Sequence, residues 1–136
     1  MANQMQVQLR QISPTTTEAT LGSRKILVDR PIEKGGTDMG PMGGEYFLAS
    51  IGGCFMSNLL AAIKAREAEI SEVRTEVTGT LGDSPIVFTA VELSVTAESS
   101  DRELLERLVE IADRGCIMMN TLRGSLDLRI RIGVPV

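Results

Sequence analysis

The chain carries two cysteines, Cys54 and Cys116, 62 residues apart, and no histidine. That combination narrows the available chemistry. Without imidazole there is no Ser–His–Asp or Cys–His nucleophile and no His-ligated zinc, iron or copper. A thiol is then the strongest nucleophile at hand, provided that its pKa is lowered and its sulfur can be reached. The metal alternative is a zinc held by both cysteines and two carboxylates, but no CxxC pair gives the usual ligand spacing. The sequence holds neither GxGxxG nor GxxxxGK[ST], so a nucleotide-phosphate loop has no support. The expectation is thiol chemistry without a metal or an organic cofactor.

Each cysteine sits beside glycine. Cys54 directly follows Gly52-Gly53 within a helix-like segment. Two interior glycines cost about 1 kcal/mol each relative to alanine, so a reason for them is expected. They can let the helix kink, or let a partner element or a small substrate come close to the backbone next to the thiol. On a helical wheel Cys54 lies at the edge of the apolar face, near Phe47 and Ile51. Cys116 follows Gly115, placed where a left-handed helix terminator belongs, and opens the next turn, where unpaired backbone N–H groups favour a thiolate. The competing reading for both cysteines is packing, with Cys116 among Ile117, Met118 and Met119.

The elements that must hold these residues follow from periodicity. Residues 4–29 read as strands: Met5, Val7 and Leu9 alternate with polar neighbours, Ile26 to Val28 form an apolar run, and Pro14 and Gly22 mark turns. Residues 30–44, rich in glycine and proline, read as a loop. From 45 to about 68 the period becomes helical, with Phe47, Leu48, Ile51, Phe55, Met56, Leu59, Leu60 and Ile63 on one broad face. Strands are expected over 73–81 and 86–97, joined by a hairpin loop at Gly82-Asp83-Ser84-Pro85. A second helix is expected with Ser100 as its cap and Glu103 completing a capping box, its core face carrying Leu104, Leu105, Leu108, Val109 and Ile111. A short apolar helical segment follows Cys116, then a final strand over 126–132.

Composition bounds the rest. With 136 residues, 43% hydrophobic and 24% charged, the chain has the size and balance of one globular α+β domain. A net charge of −4 with three Phe, one Tyr and no Trp argues against nucleic acid as a partner. Residues 1–10 lack the continuous apolar core of a signal peptide, and two cysteines are too few for a secreted disulfide scaffold, which points to the cytoplasm. Residues 46–63 hold no charge over eighteen positions, close to the length of a membrane span. Ser50, Gly52, Gly53, Ser57 and Asn58 dilute that stretch, and a core helix covered partly by a second subunit is the better expectation.

The stretch Gly35-Gly36-Thr37-Asp38-Met39-Gly40-Pro41, then Glu45-Tyr46-Phe47-Leu48-Ala49-Ser50-Ile51-Gly52-Gly53-Cys54, and later Gly115-Cys116 leading into a last strand, resembles the OsmC/Ohr family. The order of elements resembles that family along nearly the whole chain, as a single domain over 1–136. The resemblance implies an α+β OsmC-like fold, with antiparallel sheets wrapped around central cysteine-bearing helices in an intertwined homodimer. It also implies a thiol peroxidase acting on hydroperoxides, organic ones especially, and recycled by an external dithiol such as a lipoyl protein. Cys54 matches the family's peroxidatic cysteine and Cys116 its resolving one. Members that catalyse this reaction support the thiolate with a glutamate and an arginine. Glu45 falls in the matching stretch, nine residues before Cys54, one fewer than in the hydroperoxide-reducing branch. Arg10, Arg24 and Arg30 are the candidate arginines. The alternative within the same fold is a catalytically weak dimer that binds a small hydrophobic ligand and keeps its cysteines as packing.

Overall fold

The computed structural model of the protein describes residues 3–133; the first two residues of the 1–10 stretch and the last three of the 1–136 domain lie outside the described residues. The chain forms two compact units, one ending at Phe47 and one starting at Leu48.

The first unit is built on an antiparallel meander of β1 (Gln8–Gln11), β2 (Thr17–Leu21) and β3 (Arg24–Val28). Leu21 pairs with Arg24 across a two-residue turn in which Gly22 takes φ 65°, the positive φ that lets a tight turn follow the twist of its strands. Residues 30–44 were expected to be irregular, yet Ile32–Lys34 closes a 3-10 turn. The rest of this loop is tied down by Asp29, only 3% exposed. Its carboxylate accepts from the hydroxyls of Thr37 at 2.6 Å and Thr16 at 3.0 Å. It also accepts from the backbone N–H groups of Arg30, Met39 and Thr37 at 2.7, 3.2 and 3.3 Å. The Tyr46 hydroxyl donates to the Leu27 carbonyl at 2.7 Å, joining β3 to the start of the first helix.

That helix, α1 (Gly43–Ala65), begins two residues earlier and ends three earlier than its periodicity suggested. Glu45 Oε1 accepts from the Met42 N–H at 3.0 Å, satisfying one of the donors that a helix start leaves unpaired. α1 is the one described helix long and apolar enough to cross a membrane, but within the second unit it serves as a core helix: Ile51, Phe55 and Leu59 have no exposed surface. Its outer side carries Ala49, Ser50, Gly53, Ser57 and Leu60.

The second sheet runs β4 (Ile70–Leu81), β5 (Phe88–Ser99) and β6 (Asp127–Ile132) in that order. Val91, Leu93, Val95 and Ala97 of β5 are buried at every second position, as the period of two demands. β4 and β5 pair antiparallel, whereas β6 lies parallel to β5, so this sheet is mixed where a wholly antiparallel one was expected. The crossover that a parallel pair requires is α2 (Arg102–Gly115) followed by α3 (Ile117–Leu122). Asp101, not Ser100, caps α2: its side chain accepts from the Leu104 N–H, and the Ser99 hydroxyl accepts from the Asp101 N–H at 3.1 Å. Gly115 is the last helical residue rather than a left-handed terminator. The chain leaves the helix in extended conformation at Cys116, φ −82° and ψ 117°.

Candidate active site

Helix–sheet contact explains one of the two glycines before Cys54. A Cβ on Gly52 would stand 2.6 Å from Val77 Cγ2 of β4, closer than carbon atoms can pack. The missing side chain therefore lets α1 lie down on the sheet, and α1 runs unbroken through both glycines. One residue on, Gly53 faces open space. Cys54 falls between these two sides and is half-buried. Phe55, turned a further hundred degrees, is wholly buried in the core.

Cys116 reaches the same place from the opposite end of the unit. Its single extended residue is both the C-cap of α2 and the N-cap of α3, and its sulfur accepts from the Met119 N–H at 3.5 Å. This tight junction leaves the first N–H groups of α3 without helical partners, and those of Met118 and Ile117 favour the Cys54 anion. The Cys116 thiol acts on Cys54 in the same sense. Both cysteines are reduced.

The two thiols consequently move in opposite directions. Burial pushes Cys54 up, but the Met118 N–H, the Cys116 thiol and the Ile117 N–H all favour its anion and leave it below the usual thiol value. Cys116 is wholly buried. Burial pushes it up, and a Cys54 anion beside it adds to that, more than the Met119 and Met118 N–H groups take away. The helix start that sequence reasoning associated with a Cys116 thiolate thus serves Cys54 instead. The arrangement holds one thiolate, accessible from one side, against a neighbouring thiol that keeps its proton.

The other candidates lie in the first unit. Glu45 is a first-turn residue of α1 with its carboxylate on the Met42 N–H. Arg10 is paired with Glu18 at 3.3 Å; Arg24 opens β3, and Arg30 follows Asp29. Among the described residues, no group of three or more Cys, Asp or Glu side chains converges as a metal site would need. Sequence reasoning passed over Asn58, whose side-chain amide donates to the Cys54 carbonyl at 3.0 Å and faces the Cys54 sulfur at 4.0 Å. An amide four residues after the thiol, in a stretch otherwise without charge, was the available signal.

Over residues 35–131 the sequence matches the OsmC-like protein family, and the chain belongs to that family. Solved structures share the fold over essentially their full length. An OsmC-like protein from Mycoplasma pneumoniae superimposes with a TM-score of 0.84 at 17% identity, with 100% of both chains covered. An organic hydroperoxide resistance protein from Elizabethkingia anophelis gives 0.77 at 19% identity, covering 99% of each chain. The organic hydroperoxide resistance protein OhrB of Bacillus subtilis gives 0.68 at 24% identity, covering 96% of this chain and 98% of its own. A search of curated protein sequences finds no match.

Proposed function

We propose that the protein is a cytoplasmic, cofactor-independent thiol peroxidase that reduces hydroperoxides, organic ones in particular. Cys54 is the attacking thiol and Cys116 the resolving one. The observation that carries this reading is the pairing of two thiols that act on each other in opposite senses, Cys54 half-buried and favoured as the anion, Cys116 wholly buried and favoured as the protonated thiol. Family membership and the hydroperoxide resistance proteins among the structural relatives support it.

In the first step the Cys54 thiolate attacks the terminal oxygen of ROOH. The O–O bond breaks, the alkoxide takes up a proton as ROH, and Cys54 becomes a sulfenic acid. The Cys116 sulfur then attacks Cys54; its proton leaves with the hydroxyl as water, and the disulfide forms. An external dithiol, such as a lipoyl protein, reduces the disulfide by two exchange steps and is itself oxidised. Glu45 enters as the residue that fixes the start of α1.

Free thiols counted before and after addition of cumene hydroperoxide test the reading. Two thiols per chain should disappear. Cys54→Ser should abolish peroxide consumption, while Cys116→Ser should accumulate a sulfenic acid that dimedone traps. Unchanged thiol counts in the parent protein would refute the peroxidase assignment, and sustained cycling by Cys116→Ser would remove Cys116 from the resolving role.

A further inference from the structure

We propose that Asn58 is a positioning residue for the reactive thiol, its side-chain amide holding the Cys54 sulfur as an anion. The proposal rests on Cys54 being the nucleophile, as inferred above. Asn58 lies one helical turn after Cys54 on α1, half-buried. Its Nδ2 carries two hydrogens. One is directed to the Cys54 carbonyl at 3.0 Å, and the same nitrogen stands 4.0 Å from the Cys54 sulfur. The Asn58 Oδ1 faces the other way, toward the end of α2, where a Cβ on Gly115 would touch it at 3.6 Å. An acceptor turned to α2 and a donor turned to the sulfur orient the amide in the sense that favours a thiolate.

Asparagine is a poor choice inside a helix, because its side chain competes for backbone hydrogen bonds. Here that competing bond, to the Cys54 carbonyl, is what anchors the amide beside the sulfur. The donor is long for a neutral thiol. A charged acceptor draws its donors closer and binds them roughly twice as strongly, so the contact gains most when Cys54 ionises. Asn58 approaches the sulfur from α1 itself. Cys116 is the ionisable group that faces Cys54. Residues 46–63 of α1 and residues 117–122 of α3 carry no charge. On β4, Arg74 and Glu76 lie on the exposed side, alternating with Thr75 and Val77. At the end of α2, Asp113 is paired with Arg123 at 3.1 Å.

The test follows the rate of Cys54 alkylation by iodoacetamide against pH in a Cys116→Ser background, which isolates one titrating thiol. Asn58→Asp keeps the shape and replaces the donor by a carboxylate. It should move the midpoint up by about one pH unit or more and slow alkylation at neutral pH about tenfold. Asn58→Ala, which favours the helix, should give a smaller rise in the same direction. Folding of each variant is checked by circular dichroism. Midpoints unchanged from the parent in folded Asn58→Asp and Asn58→Ala would overturn the proposal. Alkylation needs no peroxide, so a shifted midpoint in a protein that fails to consume cumene hydroperoxide keeps Asn58 in this role and removes the peroxidase reading instead.

Discussion

Asp29 and Cys54 are two anion positions supplied with backbone N–H groups, and they differ in what is left over. Asp29 accepts from three N–H groups and two hydroxyls, so its oxygens are spent on holding the loop. The Thr37 hydroxyl in particular, then the Arg30 and Met39 N–H groups and Thr16, outweigh burial and hold the carboxyl far below the usual carboxylate range. A depressed folded-state pKa means that this stabilisation is present above the ordinary value and is lost as the pH falls below about 4 toward the depressed one. Asp29→Asn should therefore lower the melting temperature at pH 7 and flatten its fall between pH 4 and pH 2; parallel melting profiles for the two proteins would count against the anchor. Glu45 offers a contrast. Its contact is with the Met42 N–H, so Glu45→Gln should cost about 0.3–1 kcal/mol of stability through the lost charge at a helix start. It should leave the pH profile of Cys54 alkylation superimposable on the parent's, and a displaced profile would instead tie Glu45 to the thiolate.

The elements differ in how far their sequences specify them. Gly52 is required by contact: Gly52→Ala should destabilise by about 1–3 kcal/mol, as overpacking does, because Val77 is in the way. Gly115 is helical and its Cβ would meet only ordinary contact distance. Gly115→Ala should then be neutral or stabilise by up to about 1 kcal/mol, the opposite of what a left-handed terminator would show. Denaturant midpoints of the two variants check both signs. Periodicity revealed β4, β5, α1 and α2 because each buries one side, and burial writes a period of two or 3.6 into the residues. It misplaced the α2 cap by one residue because Ser100 and Asp101 are both acceptable caps, and only the bond to Leu104 decides between them. The parallel pairing of β6 was not legible, since a strand's own alternation does not name its neighbour. The candidate cysteines were visible as residue types beside glycines. Their pairing was implied by the family resemblance and not by the residues themselves, because it depends on a one-residue junction between α2 and α3, and nothing near Cys116 in sequence refers to Cys54. Asn58 was hidden for a related reason: its importance lies in which atom faces the sulfur.

For the molecule as a whole, α1 presents an outer side that its own chain does not cover. Ala49, Ser50, Gly53, Ser57 and Leu60 are exposed on a helix with no charge from residue 46 to residue 63. Leu60 is 49% exposed. Single exposed apolar residues need no explanation, but small residues at four-residue intervals allow a close second backbone. We predict a homodimer sealed across this side of α1. Sedimentation at micromolar concentration should give twice the chain mass of 14.7 kDa. Gly53 provides the sharper experiment, because a side chain there meets nothing within 4 Å in the chain itself. Gly53→Glu should leave the isolated fold intact by circular dichroism, yet place a charge where two helices would approach, and shift the protein toward monomer. Conservation of the dimer in Gly53→Glu would move the interface elsewhere, and a parent protein that sediments as a stable monomer would rule it out. The position adjoins Cys54, so the same variant also reports whether the open side of the thiol faces solvent or a second subunit. If a subunit covers it, loss of the dimer should expose Cys54 and speed its alkylation at high pH, where every thiol is already ionised and access alone sets the rate.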